Sequence, residues 1–398
     1  MVTRLLANIG ELTTNDPTLG DLTVMGRLDD AALVVDETRV LWVGKNGDAP
    51  AADESLDLDG AAVVPGFVDS HTHLVFAGER SQEFEARMAG TPYDGGGINR
   101  TVEATRRAST AELRSLTAAR ARALAASGAT TIEIKSGYEL TLDGELRLLE
   151  VAGEFSDELT FLGAHVVPEE FRGQRDDYVH LVAGEMLATC APHAKWADVF
   201  CDTGAFSVDE AREVLQRARE AGLELRLHGN QLGESGGVAL AVELDCASVD
   251  HCTFVNDHDL EILGASDTVA TLLPGAEFST RSPYPSARRF LDAGAVVALA
   301  TDCNPGTSYV TSMPFVIALA VREMQMSVDE ALWAATLGGA RALRRTLGGA
   351  RALRRDDVGH LGLGARADVL VLDAPRAAHL AYRPGGQVVS RTFRASRA

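Results

Sequence analysis

Eight short runs rich in Val, Ile and Leu recur between Val63 and Ala300, separated by polar, Ala-rich stretches of helical character. They are Val63–Ser70, Thr130–Ile134, Leu159–Ala164, Trp196–Cys201, Leu223–Leu227, Ala247–Asp250, Thr268–Leu273 and Val296–Ala300. A strand that is apolar nearly throughout buries both of its faces. Such strands alternating with helices form a parallel sheet covered on both sides. Eight strand–helix units predict an α/β fold closed as a (β/α)8 TIM barrel, which takes about 250 residues. A chain of 398 residues leaves room for a second, smaller unit.

The intervening segments carry helix signals. Ala111–Ala126 is rich in Ala, Leu and Arg. Ser207–Ala221 opens with Ser207 and places Glu210 three residues later, the pattern in which each side chain caps the other residue's backbone N–H. Met326–Asp329 leads into the apolar-periodic stretch Glu330–Leu337.

The two ends do not read as barrel. Leu22–Val64 carries β-like runs such as Arg39–Gly44, and Ala367–Asp373 carries another. Together they predict a composite β-sandwich domain from both termini, residues 1–64 plus 356–398, beside a barrel domain at 65–355. The first strand-to-helix connection, Leu74–Ser109, is long and contains Gly95-Gly96-Gly97. A substrate-covering segment and an ordinary surface insertion both fit it. The nine residues LGGARALRR occur at 337–345 and again at 347–355. A ten-residue shift misses whole helical turns by roughly 80°. The copies therefore share no face of one helix, and they read as a local duplication broken at Gly348-Gly349 with no assigned function.

Lys and Arg number 37 against 57 Asp and Glu, a net charge of −20. Such a chain repels phosphate backbones, so nucleic acid is a poor partner. The five cysteines include no CxxC pair, which fits a reducing compartment. Met1–Asn8 lacks a secretory apolar region, and no apolar run reaches the roughly 18 residues that span a bilayer. The expectation is a cytoplasmic protein without a membrane partner. A homodimer is left open as the assembly.

The chemistry gathers at the strand ends. His71-Thr72-His73 follows the first run, and residues i and i+2 of an extended segment point the same way. His228 ends the fifth run, His251 the sixth and Asp302 the eighth, where a barrel places its active site. Three imidazoles and a carboxylate from His71, His73, His228 and Asp302 suit a divalent ion with a water in its open position. Such an ion lowers the water's pKa from 15.7 to about 7. Any one of these histidines alone reads as a hydrogen-bonded core residue, and the serial order of all four ligands argues otherwise. His180, His193, His258, His360 and His379 fall in helices or loops and read as surface or structural. Lys135 reads as a solvated strand-end charge. Asp202, at the end of the fourth run, either contacts substrate or caps a turn.

Val64–His73, with its Pro-Gly-Phe-Val-Asp-Ser-His-Thr-His sequence, resembles the amidohydrolase superfamily signature, and Ala365–Asp373 resembles that superfamily's return to its β-sandwich. Finer features resemble the imidazolonepropionase family within it: His73–Arg80, Glu133–Tyr138, Phe161–His165, Val199–Cys201 and Ala300–Thr307. The similarity runs from about Leu22 to Arg383. It implies one divalent metal ion, zinc or iron, on His71, His73, His228 and Asp302. It implies substrate contacts from Arg80, Tyr138, His165, Gln231, Asn304, Gly306 and Thr307. The implied reaction is hydrolysis of the small molecule 4-imidazolone-5-propanoate to N-formimidoyl-L-glutamate.

Within that resemblance, Arg80 suits a charge-assisted clamp on the propanoate carboxylate. Asp302 is placed to accept and return a proton, and His251 to hydrogen-bond the attacking water or the oxyanion. Cytosine-deaminase-like relatives carry a proton-shuttling Glu three residues after the fifth-strand His. Here that position is Gln231, whose amide neither donates nor accepts a proton as acid or base. A deaminase or another cyclic-amide hydrolase is therefore the weaker alternative within enzymes. A non-catalytic scaffold is the alternative outside them, disfavoured because the ligand set is intact.

Overall fold

The computed structural model describes residues 2–91, 97–343 and 357–396. Five strands lie near the N-terminus: β1 Arg4–Thr13, β2 Arg27–Val35, β3 Val40–Lys45, β4 Glu54–Asp57 and β5 Ala62–Pro65. Eight more follow: β6 Phe67–Asp69, β7 Ala129–Lys135, β8 Glu158–Ala164, β9 Trp196–Cys201, β10 Glu224–Gly229, β11 Ser248–His251, β12 Val269–Leu272 and β13 Val297–Leu299. The last two are β14 Val369–Leu372 and β15 Val389–Phe393.

Strands β6 to β13 pair in sequential order as one eight-stranded sheet, every pairing parallel. Backbone contacts just past β6 and β13 close it. Thr72 and Cys303 form a parallel bridge, the Asp302 N–H donates to the His71 carbonyl at 3.0 Å, and the His73 N–H donates to the Cys303 carbonyl at 3.0 Å. This is the barrel that the eight apolar runs predict. The predicted Ser207 cap is present: its side chain accepts from the Glu210 N–H, and Glu210 accepts from the Ser207 N–H, at the head of helix Val208–Glu220. Ser327 and Glu330 form a second such pair before helix Val328–Trp333.

The first run, expected as one strand over Val63–Ser70, is two. Val63 pairs with Val371 in the smaller sheet, whereas Phe67 pairs with Ala129 in the barrel. Proline lacks the N–H needed to continue a ladder. Pro65 ends β5, and Gly66 turns its N–H to the Asp368 carbonyl at 2.8 Å. The chain thus passes from one sheet to the other across a single residue.

The smaller unit is composite, as expected: β1–β5 join β14 and β15 in one seven-stranded sheet. The expected sandwich takes the form of a sheet that forks at β1, which pairs with β4 through Arg4–Ala7 and with β5 through Glu11–Leu12. Leu6, Ile9, Leu12, Leu33, Val63 and Val371 share its core. Strand β1 escapes the sequence pattern because a bulge at Asn8, with φ 57°, shifts the alternation midway. Asn15 ties this unit to the barrel side, its Nδ2 donating to Thr336 Oγ1 and the Gly359 carbonyl, both at 2.8 Å.

The Leu74–Ser109 connection carries two helices, Ser81–Met88 and Ile98–Arg107. Gly95 and Gly96 lie outside the described residues, as do residues 344–356, which hold the second LGGARALRR copy and the boundary expected at 355–356. All five cysteines are buried and free. Among the described residues, no helix is long and apolar enough to cross a membrane.

Candidate metal centre and substrate cavity

Extended backbone at the end of β6 sends both imidazoles of the His-X-His pair into the barrel mouth. His71 Nε2 and His73 Nε2 lie 3.2 Å apart, and His73 Nε2 lies 3.3 Å from His228 Nε2. Asp302 Oδ1 is 3.5 Å from both His71 Nε2 and His73 Nε2. All four residues are buried. The sequence-predicted ligands therefore meet at one point.

The nitrogens facing away from that point fix the tautomers. His71 Nδ1 donates to Asp250 Oδ2 at 2.7 Å, and His228 Nδ1 donates to Asp198 Oδ1 at 3.0 Å. Both Nε2 atoms are then left as lone pairs aimed inward. Burial, with neighbouring charge adding to it, pushes the pKa of His71 and His73 well below the ordinary histidine range, so both rings are neutral. The inward lone pairs of His71 and His228, the third imidazole and the Asp302 carboxylate thus converge as a donor set for a cation. Burial also lifts the Asp302 carboxyl well above the usual range. A divalent cation is the charge that would hold it ionised. The donor chemistry fits a metal ion.

His251 stands beside this cluster, its ring centroid 5.7 Å from that of His71 and 5.4 Å from that of His228. His71, His228 and His251 also offer nitrogens close enough for a shared ion. The His251 backbone is held at φ 80°, followed by Cys252 at φ 53°, an unusual pair for non-glycine residues at a strand end. Among the described residues its buried Nδ1 has no hydrogen-bond partner, a nitrogen that a water or substrate oxygen would satisfy.

A cavity of ~50 Å³ opens on the cluster. It is lined by His73, His228, His251 and Asp302, and by every residue expected to touch substrate: Arg80, Tyr138, His165, Gln231, Asn304, Gly306 and Thr307. His165 stacks on His73 with centroids 5.3 Å apart, and Tyr138 lies 5.2 Å from His165. His165 Nδ1 donates to the Gly137 carbonyl at 2.9 Å. Burial holds its pKa down at about 3, so it is neutral with Nε2 available as an acceptor. Asn304 is engaged within its own loop: Oδ1 accepts from the Gly306 and Thr307 N–H groups at 2.8 and 2.7 Å, and Nδ2 donates to the Asp302 carbonyl at 2.7 Å. Asp202 caps a turn, accepting the N–H groups of Gln231 and Leu232 at 2.7 and 2.9 Å, and so places Gln231 at the cavity. His180, His193 and His258 are exposed, outside the cluster.

One expectation fails. Lys135 is not a solvated charge: its side chain is fully buried, with Nζ 2.9 Å from Glu133 Oε1 and 2.8 Å from Asp198 Oδ2. Lys135 and Glu133, two residues apart on β7, share one face with Asp198 of β9, and two carboxylates replace water around the ammonium. Asp198 itself is pulled upward by burial, but His228 and Lys135 beside it outweigh that and lower its pKa. On the other flank, Arg226 Nη2 donates to Asp250 Oδ2 at 3.1 Å and to the Ser70 carbonyl at 2.7 Å. Sequence reading missed Asp198, Asp250, Arg226 and Glu133. Their signal was present as a charged residue inside each run otherwise read as buried strand.

A barrel with this inward histidine–aspartate cluster defines a hydrolase of the amidohydrolase class, and the Amidohydrolase family matches residues 62–398. Solved structures agree on the fold. Ochratoxinase of A. niger superposes with a TM-score of 0.69 at 17% identity, covering 99% of this chain and 94% of that one. An atrazine chlorohydrolase mutant of Arthrobacter aurescens, complexed with zinc and atraton, gives 0.68 at 18%, covering 98% and 93%. Curated relatives narrow the class. An imidazolonepropionase of Mycolicibacterium smegmatis is 58% identical over 99% of this chain and 97% of its own length. One of Salinispora tropica is 60% identical over 97% and 96%. The chain belongs to the imidazolonepropionase family.

Proposed function

We infer that this chain opens the lactam ring of 4-imidazolone-5-propanoate with water, giving N-formimidoyl-L-glutamate, and that residues 65–355 form its catalytic domain. The observation that carries the reading is the single cavity lined by Arg80, Tyr138, His165, Gln231, Asn304, Gly306 and Thr307 and floored by the histidine–aspartate cluster. Full-length identity of 58–60% to curated imidazolonepropionases supports the substrate.

His71, His73, His228 and Asp302 would hold one divalent ion, zinc or iron. When bound, that ion supplies a water ionisable at neutral pH and polarises the carbonyl. Asp302 takes up the water's proton and returns it to the departing ring nitrogen. His251 hydrogen-bonds the oxygen that gains charge as the carbonyl becomes tetrahedral. Arg80 binds the propanoate carboxylate, while Tyr138, His165 and Gln231 hydrogen-bond the planar ring.

The test follows the ultraviolet absorbance of freshly generated imidazolonepropanoate. Loss of absorbance without ammonia release, abolished by chelation and restored by metal, supports the reading. Unchanged absorbance with metal-replete protein removes it. Arg80→Ala should keep its metal and bind substrate weakly.

A further inference from the structure

Arg80 does not approach the cavity alone. Its Nε and Nη2 both donate to Glu83 Oε2, at 3.0 and 2.6 Å. One edge of the guanidinium is thereby occupied by a carboxylate of this chain. Nη1 has no hydrogen-bond partner among the described residues, although the Arg80 side chain is only 4% exposed. The planar fork has five N–H donors in fixed directions, so engaging one edge determines where the others point.

The surroundings leave the pair little freedom. A Cβ at Gly97 would lie 2.2 Å from both Arg80 Nη2 and Glu83 Oε2, and one at Gly306 would lie 2.3 Å from Arg80 Nη1. The ion pair is thus boxed between two backbones that have no side chain. The other oxygen of Glu83 lies 3.6 Å from Nη1 of the largely exposed Arg100. Arg87, one turn along the same helix, donates Nη2 to the Gly306 carbonyl at 2.7 Å. The helix bearing Glu83 is therefore fixed to the loop that lines the cavity.

We propose that Glu83 is a positioning residue that selects for a carboxylate-bearing substrate, holding the Arg80 guanidinium by one edge so that its remaining N–H groups face the cavity. The proposal rests on the reading of Arg80 as the carboxylate anchor. An arginine without such a partner samples many rotamers, and ordering it on binding costs affinity. Fixed beforehand, it meets only the carboxylate, and the ring chemistry farther in is untouched.

The test compares the metal-replete full chain with Glu83→Ala and Glu83→Gln, using 4-imidazolone-5-propanoate and its 5-ethyl analogue, which lacks the carboxylate. Glu83→Ala should raise KM for the propanoate roughly tenfold, the scale of one charge-assisted hydrogen bond, with kcat within about twofold. The analogue's kinetics should be the same in wild type and variant. Glu83→Gln, which keeps an acceptor oxygen, should recover most of the affinity. An unchanged KM in Glu83→Ala overturns the proposal. So does an equal loss on both compounds, which marks a general structural role, or a glutamine variant as impaired as the alanine one. If wild type turns over neither compound, the substrate reading itself fails, and the Glu83 assignment with it.

Discussion

The backbone N–H of Asp302 donates to the carbonyl of His71 at 3.0 Å, so the seam that closes the barrel also joins the first and last expected metal ligands. The two residues are far apart in the chain, and neither has a neighbour in sequence that sets this distance. The closure of the eighth strand onto the first sets it. Barrel integrity and ligand geometry are therefore one property at this seam.

Asp198 should govern metal affinity without touching the ion. It accepts His228 Nδ1–H and also the His228 backbone N–H, at 3.0 and 3.1 Å. Removing such a partner typically costs 10–100-fold in metal affinity. Asp198→Ala should lose metal in that range during competition with a chelator. Affinity equal to wild type would refute the support role.

Lys135 should be a stability residue as much as a site residue. Its substitution by Met leaves Glu133 and Asp198 buried without their shared cation. Breaking a buried pair from one side costs about 3–5 kcal/mol. Thermal unfolding of Lys135→Met should show a large drop in Tm, and an unchanged Tm would show that the carboxylates find other partners.

Glu277 should shape the pH dependence of stability. It is buried, accepts from Thr253 Oγ1 at 2.6 Å, and burial pushes its pKa up to about 7 from the usual 4.5. A carboxyl whose pKa is raised on folding contributes stability that is complete below pH 4.5 and is lost as pH rises to about 7. Glu277→Gln removes the titration, and its advantage over wild type should grow across that window, reaching on the order of 3 kcal/mol at pH 8. Parallel Tm–pH curves for the two proteins would count against it.

Gly306 should accept a side chain only by displacing the Arg80 guanidinium. A Cβ there meets Arg80 Nη1 at 2.3 Å, too close to accommodate without moving the guanidinium. Gly306→Ala should raise KM for imidazolonepropanoate by roughly tenfold while metal content, measured by atomic absorption, stays at wild-type level. Unaltered KM would show that Arg80 can shift freely.

Much of this was legible in one dimension. A strand buried on both faces must be apolar along its length, so β9 could be bounded at Trp196–Cys201 from sequence, and the other barrel strands to within a few residues. The side chains that end such strands share one face of the barrel, so His71, His73, His228, His251 and Asp302 group together from sequence alone. What sequence could not decide was partnership. Whether Lys135 meets water or two carboxylates depends on where the closed barrel puts Asp198 of β9. Which aspartates lock the histidine tautomers depends on which strand lies beside which. That Arg80 is held by Glu83 between Gly97 and Gly306 depends on three separate stretches of chain arriving together. Hydrophobic periodicity is written locally because burial is a property of each residue. Charge pairing is a property of distance between residues, and only the closed barrel sets those distances.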